Sequence, residues 1–190
     1  MKKQLGLSLI ETSLVLAISG VAISATLFYY TSTAETRLMD ESITQVQSVI
    51  RAVNTLFDAS PESLPDGTNI PERNKVMVAI SELTGLELMD ERLEGNKVIR
   101  NPLGFGLMIW KTGPRKYQIQ TQLNNVSLCS KMASVSLGSV SYAPPEVYAG
   151  NTLVKGNITT PAQATEACIK AEEERHAGKG ATQVRYSIQF

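Results

Sequence analysis

A chain of 190 residues has room for one domain and an anchor, and its apolar share of 43% is that of an ordinary globular protein. Eighteen basic residues cancel eighteen acidic ones, so there is no charge surplus of the kind that holds nucleic acid. A single histidine and two cysteines at no metal or redox spacing leave no expected cofactor or resident metal.

The apolar residues are unevenly placed. Lys2 and Lys3 precede Leu5-Gly6-Leu7-Ser8-Leu9-Ile10-Glu11, and the 23 residues from Thr12 to Ala34 carry no charge. As a helix that run is about 35 Å long, enough to cross a bilayer core. The two lysines ahead of it predict a cytoplasmic N-terminus, with the remainder of the chain across the membrane. A cleaved secretory signal is the competing reading, with Ser24-Ala25-Thr26 as its weak cleavage site. However, the apolar and aromatic residues continuing through Tyr30 would then be left as a stub. Glu11 stands alone at the edge of the apolar run. A carboxylate in hydrocarbon costs several kcal/mol, so this residue needs a partner or an interface.

Beyond Thr31-Ser32-Thr33, apolar residues recur at Met39, Ile43, Val46, Ile50, Val53 and Phe57. Steps of three and four mark one helical face, so the spacing predicts a single helix from about Leu7 to Phe57. Its first half is apolar all round and its second half is amphipathic, as for a helix packed on a sheet. No proline interrupts it. Gly20, with Ser19 and Ser24 nearby, is its weakest point, either a close-packing site for other helices or a place to unwind.

Ser60 to Pro71 reads as loop. Pro71 opens a helix through Val76, Ile80 and Leu83 that ends at Gly85. Asn101-Pro102-Leu103-Gly104 is a turn. Gly106–Trp110 and Tyr117–Leu123 read as a hairpin around Thr112-Gly113-Pro114-Arg115. Leu128–Leu137 is a short helix, and Gly138–Gly156 is irregular or short-stranded. Thr160-Pro161 caps another helix, with Ala164, Ala167, Cys168 and Ala171 on its apolar face and Glu172 to Arg175 as a solvated end. Val184–Phe190 alternates as a last strand. The expected fold class is α+β, a long helix on an antiparallel sheet.

Cys129 and Cys168 in an exported domain favour a disulfide, the alternative being two buried free thiols. Closing a loop of that length is worth roughly 4 kcal/mol in the chain-entropy picture. No catalytic constellation is evident. His176 sits in a charged helix end, and Asp90, Glu91 and Glu94 read as a wet loop rather than a paired acid–base site. Asn125-Val126-Ser127 and Asn157-Ile158-Thr159 match the glycosylation pattern by chance.

Gly6-Leu7-Ser8-Leu9-Ile10-Glu11, with its basic leader and uncharged helix, resembles the N-terminus of type IV prepilins. Phe28-Tyr29-Tyr30 and the leucine at position 7 resemble the type IVb branch, nearest the bundle-forming pilins of enteric bacteria. Asn101-Pro102-Leu103-Gly104, Thr160-Pro161-Ala162 before Cys168, and the final strand are similar in order to that subgroup. The leader is shorter than usual for type IVb, whereas phenylalanine at position 7 and a helix proline, usual for type IVa, are missing.

The resemblance implies a leader at 1–6, a transmembrane and filament-core helix at 7–32, and a globular pilin domain at 33–190. A prepilin peptidase would cut between Gly6 and Leu7 and N-methylate Leu7. Glu11 would set subunit register against a neighbour's new amino terminus. The region bounded by Cys129 and Cys168 would set contacts between subunits. The implied fold is the type IV pilin fold, with short extra helices beside the sheet. The implied product is a major pilin, not an enzyme. It is held in the bacterial inner membrane and then polymerised with its own copies by an inner-membrane assembly machine into an extracellular pilus. Adhesion, bundling or conjugative contact with a host or recipient cell surface would follow. A minor pilin, a secretion pseudopilin and a generic single-pass anchored binding domain are the alternatives.

Overall fold

The computed structural model describes residues 9–90 and 95–190. Gly6, Leu7, Glu91 and Glu94 lie outside the described residues. The chain forms two compact units, one ending at Arg37 and the other running Leu38–Phe190.

Helix α1 spans Leu9–Phe57, 49 residues without a break, as its uninterrupted pattern predicts. In the first unit every side chain from Leu9 to Thr33 is exposed. In the second unit α1 changes character, and Ser42, Gln45, Val46, Val49, Ile50, Ala52 and Val53 are buried along one face. That face lies in one core with the inward residues of a seven-stranded sheet, including Leu107, Ile109, Ile119, Val184 and Ile188. Two hydrogen bonds pin it there, from Gln45 Nε2 to the Arg100 carbonyl (2.7 Å) and from the Tyr117 hydroxyl to Asn54 Oδ1 (3.1 Å).

The strands are β1 (Leu88–Asp90), β2 (Lys97–Arg100), β3 (Gly106–Gly113), β4 (Lys116–Leu123), β5 (Ser141–Ala149), β6 (Thr152–Lys155) and β7 (Thr182–Gln189). Their order is β1-β2-β3-β4-β7-β5-β6, with every neighbouring pair antiparallel. The C-terminal strand therefore sits inside the sheet, between β4 and β5. Helix α2 (Ile70–Thr84) begins at Asn69, whose side chain accepts from the Glu72 amide, and ends at Gly85. Helices α3 (Val126–Ala133) and α4 (Pro161–His176) are capped by Asn125 and Thr160. Asn101 is 3% exposed and organises the predicted turn. Its amide donates to Thr121 Oγ1 and the Gln122 carbonyl, and its Oδ1 accepts from the Leu103 and Phe105 amides.

Three expectations need correction. Gly138–Gly156, expected to be irregular or short-stranded, holds the short strand β6 as well as the nine-residue strand β5. Pro144 and Pro145 hid it, but they fall where the β5–β7 register shifts between Ala143 and Glu146, so their missing N–H groups cost no regular ladder bond. Asp90 ends strand β1 and pairs with Lys97 across it at 3.3 Å instead of lying in a loop. The end of α4 is only partly solvated, since the Glu172 and Glu174 side chains are 18% and 17% exposed.

Gly150, in the β5–β6 turn, and Gly180, in the α4–β7 loop, touch backbone to backbone. A Cβ on Gly150 would fall 2.2 Å from the Lys179 carbonyl oxygen, and one on Gly180 would fall 2.7 Å from the Gly150 Cα. Both have positive φ, of 57° and 111°. The Gly150 amide also donates to the Ala181 carbonyl at 2.8 Å, which ties the turn to the start of β7. Gly150→Ala should destabilise the domain by about 1–3 kcal/mol or more. Gly138→Ala, where φ is also positive but nothing lies within 4 Å, should cost less. Urea denaturation of the two variants checks this ranking.

Candidate functional site

Two features stand apart from ordinary core packing, one in each unit. The first is the apolar half of α1. Leu9, Ile10, Leu16, Val21, Phe28 and Tyr29 are 87%, 79%, 73%, 71%, 75% and 73% exposed, so the apolar side chains face outward all round the helix. Six of its serine and threonine hydroxyls turn inward. Thr12, Ser13, Ser24, Thr26, Thr31 and Thr33 donate to carbonyls three or four residues earlier, at 2.8–3.0 Å. A hydroxyl spent on its own helix presents little polarity to the surroundings, which suits hydrocarbon or a dry core. Ser24 makes this bond to the carbonyl of Gly20, where the helix continues regularly. Glu11, in the first turn and exposed, is the one charged side chain between Leu9 and Ala34.

The second feature is the C-terminal region closed by the Cys129–Cys168 disulfide. The bond joins α3 to α4 with a Cα–Cα distance of 5.9 Å, and both cysteines are fully buried. The free-thiol alternative is thereby excluded. Around it pack Met132, Ala133, Ala164, Ala167 and Ala171. The small residues on α4 let the two helices approach closely. The Tyr186 hydroxyl, from the central strand β7, donates to the Met132 carbonyl at 2.8 Å. Burial pushes the phenol of Tyr186 well above its ordinary range. This bond seats the α3–α4 pair on the sheet.

At the end of α4, Glu172 accepts from Arg175 in a two-pronged contact, with Nε at 2.8 Å, and from Thr182 Oγ1 at 3.2 Å. His176 Nε2 lies 3.4 Å from the same carboxylate, an ion pair only when the ring is protonated, and the ring is 70% exposed. The Arg175 hydrogen bonds hold the Glu172 carboxyl below the usual carboxylate range, against the opposing effect of burial. This cluster ties the end of α4 to the start of β7.

The outer face of the sheet carries an assembly that the sequence reading missed. The Arg185 guanidinium stacks 3.7 Å from the Tyr148 ring centroid and 5.3 Å from that of Trp110. Its terminal nitrogen donates to Gln183 Oε1 at 3.1 Å. Desolvation lowers its pKa from the ordinary arginine value. The signal was present in β7, where Val184, Tyr186 and Ile188 point inward, so Arg185 between them must point outward. Among the described residues no group of histidine, cysteine and acidic side chains is arranged to hold a metal.

A helix, an antiparallel sheet with its last strand inside, and a disulfide-closed C-terminal region invite comparison with solved structures. The crystal structure of type IV b pilin from Salmonella typhi matches with a TM-score of 0.50 and 12% identity, covering 78% of this chain and 98% of that one. The fold is that of a type IV pilin. The sequence agrees with this assignment. The chain is 27% identical to the major structural subunit of the bundle-forming pilus of Escherichia coli O111:H-, over 88% of this chain and 89% of that protein. The same figures hold for the subunit from Escherichia coli O127:H6, strain E2348/69. No family model matches the chain. Within this pilin fold the structure brings Cys129 and Cys168 together and leaves Glu11 at the head of an outward-facing apolar helix. The proposed cut between Gly6 and Leu7 lies outside the described residues.

The depressed pKa of Glu172 has a definite sign. A carboxyl whose folded value is lower than its unfolded value stabilises the fold above the unfolded value, about 4.3 for glutamate, and loses that contribution as pH falls through the folded value. The domain should therefore be more stable than its Glu172→Gln variant at pH 7, with the difference closing below about pH 4. Urea denaturation at both pH values checks this.

Proposed function

We propose that this chain is the major structural subunit of a type IV pilus, held first in the inner membrane through α1 and then polymerised with its own copies into a surface filament. The observation that carries this reading is the apolar half of α1, whose large side chains face outward along a helix headed by one acid, on a domain with a pilin fold. In water that surface would cost roughly 1.5–3 kcal/mol per large side chain left uncovered. A bilayer covers it before assembly, and neighbouring helices cover it afterwards. Because lipid is as apolar as leucine, the exchange is near balance, which suits a helix that an ATP-driven machine must withdraw from the membrane. The relatives being named major subunits favours a major pilin over a minor pilin or a secretion pseudopilin.

Processing by a prepilin peptidase between Gly6 and Leu7 would turn the Leu7 amide into an amine, positive at neutral pH because its ordinary pKa is close to 8. The same enzyme would methylate it, leaving the charge in place. Glu11 of one subunit would meet this amine on a neighbour. Two opposite charges attract strongly in a dry core, but their desolvation cancels much of the gain, so the pair sets axial register more than it adds stability. The disulfide-closed region would supply contacts between the globular domains. The filament would serve adhesion, bundling or conjugative contact with another cell surface.

Glu11→Ala should give a processed, membrane-held subunit and at least about tenfold fewer filaments, as expected when the partner of a buried charge is removed. Electron-microscopic counts with an immunoblot of membranes check this, and normal piliation would refute the register pair. Gly6→Leu should block processing because the side chain crowds the cut. A mature-sized band on a gel would count against the assigned bond.

A further inference from the structure

Phe28, Tyr29 and Tyr30 are three successive aromatic residues on α1, 75%, 73% and 73% exposed. Consecutive helix positions are about 100° apart, so the three rings sweep about 200° of the circumference. Leu27, 60% exposed, extends the same band. A seam against one partner helix would repeat in steps of three and four along a single face. This band runs around the helix rather than along it, which is the shape needed to meet a surrounding medium.

Its position along the axis is equally specific. Tyr29 lies 18 residues after Glu11 (29 less 11), which is about 27 Å of helix, against a hydrocarbon core of about 30 Å. No charge falls between the two, and Thr31, Ser32, Thr33 and Glu35 follow at once. Rings with an apolar body and a polar tip settle at the headgroup level, and tyrosine is enriched there.

We propose that Phe28, Tyr29 and Tyr30 form a girdle that seats the subunit in a phospholipid bilayer at the interface opposite Glu11, and that this girdle fixes the depth at which α1 leaves the membrane. The inference rests on the membrane-held state proposed above. It assigns the two ends of the apolar run different devices: a carboxylate at one interface, and aromatic rings at the other. The rings also mark how much helix must be drawn out before assembly, since everything from Thr31 onward is already outside.

The test uses the full chain in membrane vesicles, with single cysteines introduced as Ile23→Cys, Leu27→Cys, Ser32→Cys or Thr36→Cys and labelled from the far side by a membrane-impermeant maleimide. The native cysteines are joined to each other and do not react. Ser32→Cys and Thr36→Cys should label, and Ile23→Cys and Leu27→Cys should not. Adding Phe28→Ala, Tyr29→Ala and Tyr30→Ala together should shift the boundary, changing labelling at Leu27→Cys or Ser32→Cys at least about threefold. An unchanged boundary in the triple variant overturns the girdle while leaving the membrane-held state intact. Labelling at all four positions overturns both. Protection of Leu27→Cys that vanishes on dilution with excess phospholipid assigns the cover to a second copy of the chain and also overturns the girdle.

Discussion

A helix with leucine, isoleucine, valine and aromatic side chains pointing outward on every side has no stable place in water. The constraint falls on residues 9–33 of this chain, because the domain that follows builds its own core without them. That core draws on α1 only from Ser42 onward, where the buried face appears. The rest of the architecture is compatible with this division. The sheet closes its core with α1, α2 and the disulfide-joined α3 and α4, leaving the N-terminal half of α1 free to be covered by something else.

The two covers available to such a helix, lipid and its own copies, make similar demands. Both require backbone and hydroxyl groups to be satisfied within the helix, and the back-bonded serines and threonines achieve this. Both penalise a charge at mid-span, and Glu11 lies at the start of the apolar run rather than in its middle. They differ in what they offer that carboxylate. A membrane interface offers water, and a packed fibre offers only another charge. On the reading proposed above, a residue tolerated in the first setting would become a specificity element in the second.

Much of this was legible in the sequence because its signals were local. The helical period of α1, the Thr160 cap, the β3–β4 hairpin and the alternation of β7 are each set by a few neighbouring residues. Cys129 and Cys168 were legible through compartment rather than geometry. Other features depended on partners distant in sequence. Pro144 and Pro145 concealed β5, because nothing local shows that a register shift will absorb the missing N–H groups. Glu172 read as solvated because its partner Thr182 arrives from β7. The Gly150–Gly180 contact is invisible without the fold, and so is the stack of Arg185 on Tyr148, whose strands meet only through the sheet order. The proposed cut before Leu7 rests on resemblance to prepilins alone, since a peptide bond there carries no physical mark of its own and lies outside the described residues.

Helical reconstruction of filaments sheared from cells tests the central claim most directly. The account predicts α1 residues 12–30 in the fibre centre, with Glu11 of each subunit beside the amino terminus of a neighbour and the sheet domains outside. A fibre whose centre is built from the sheet domains, with the apolar helix elsewhere, would contradict it.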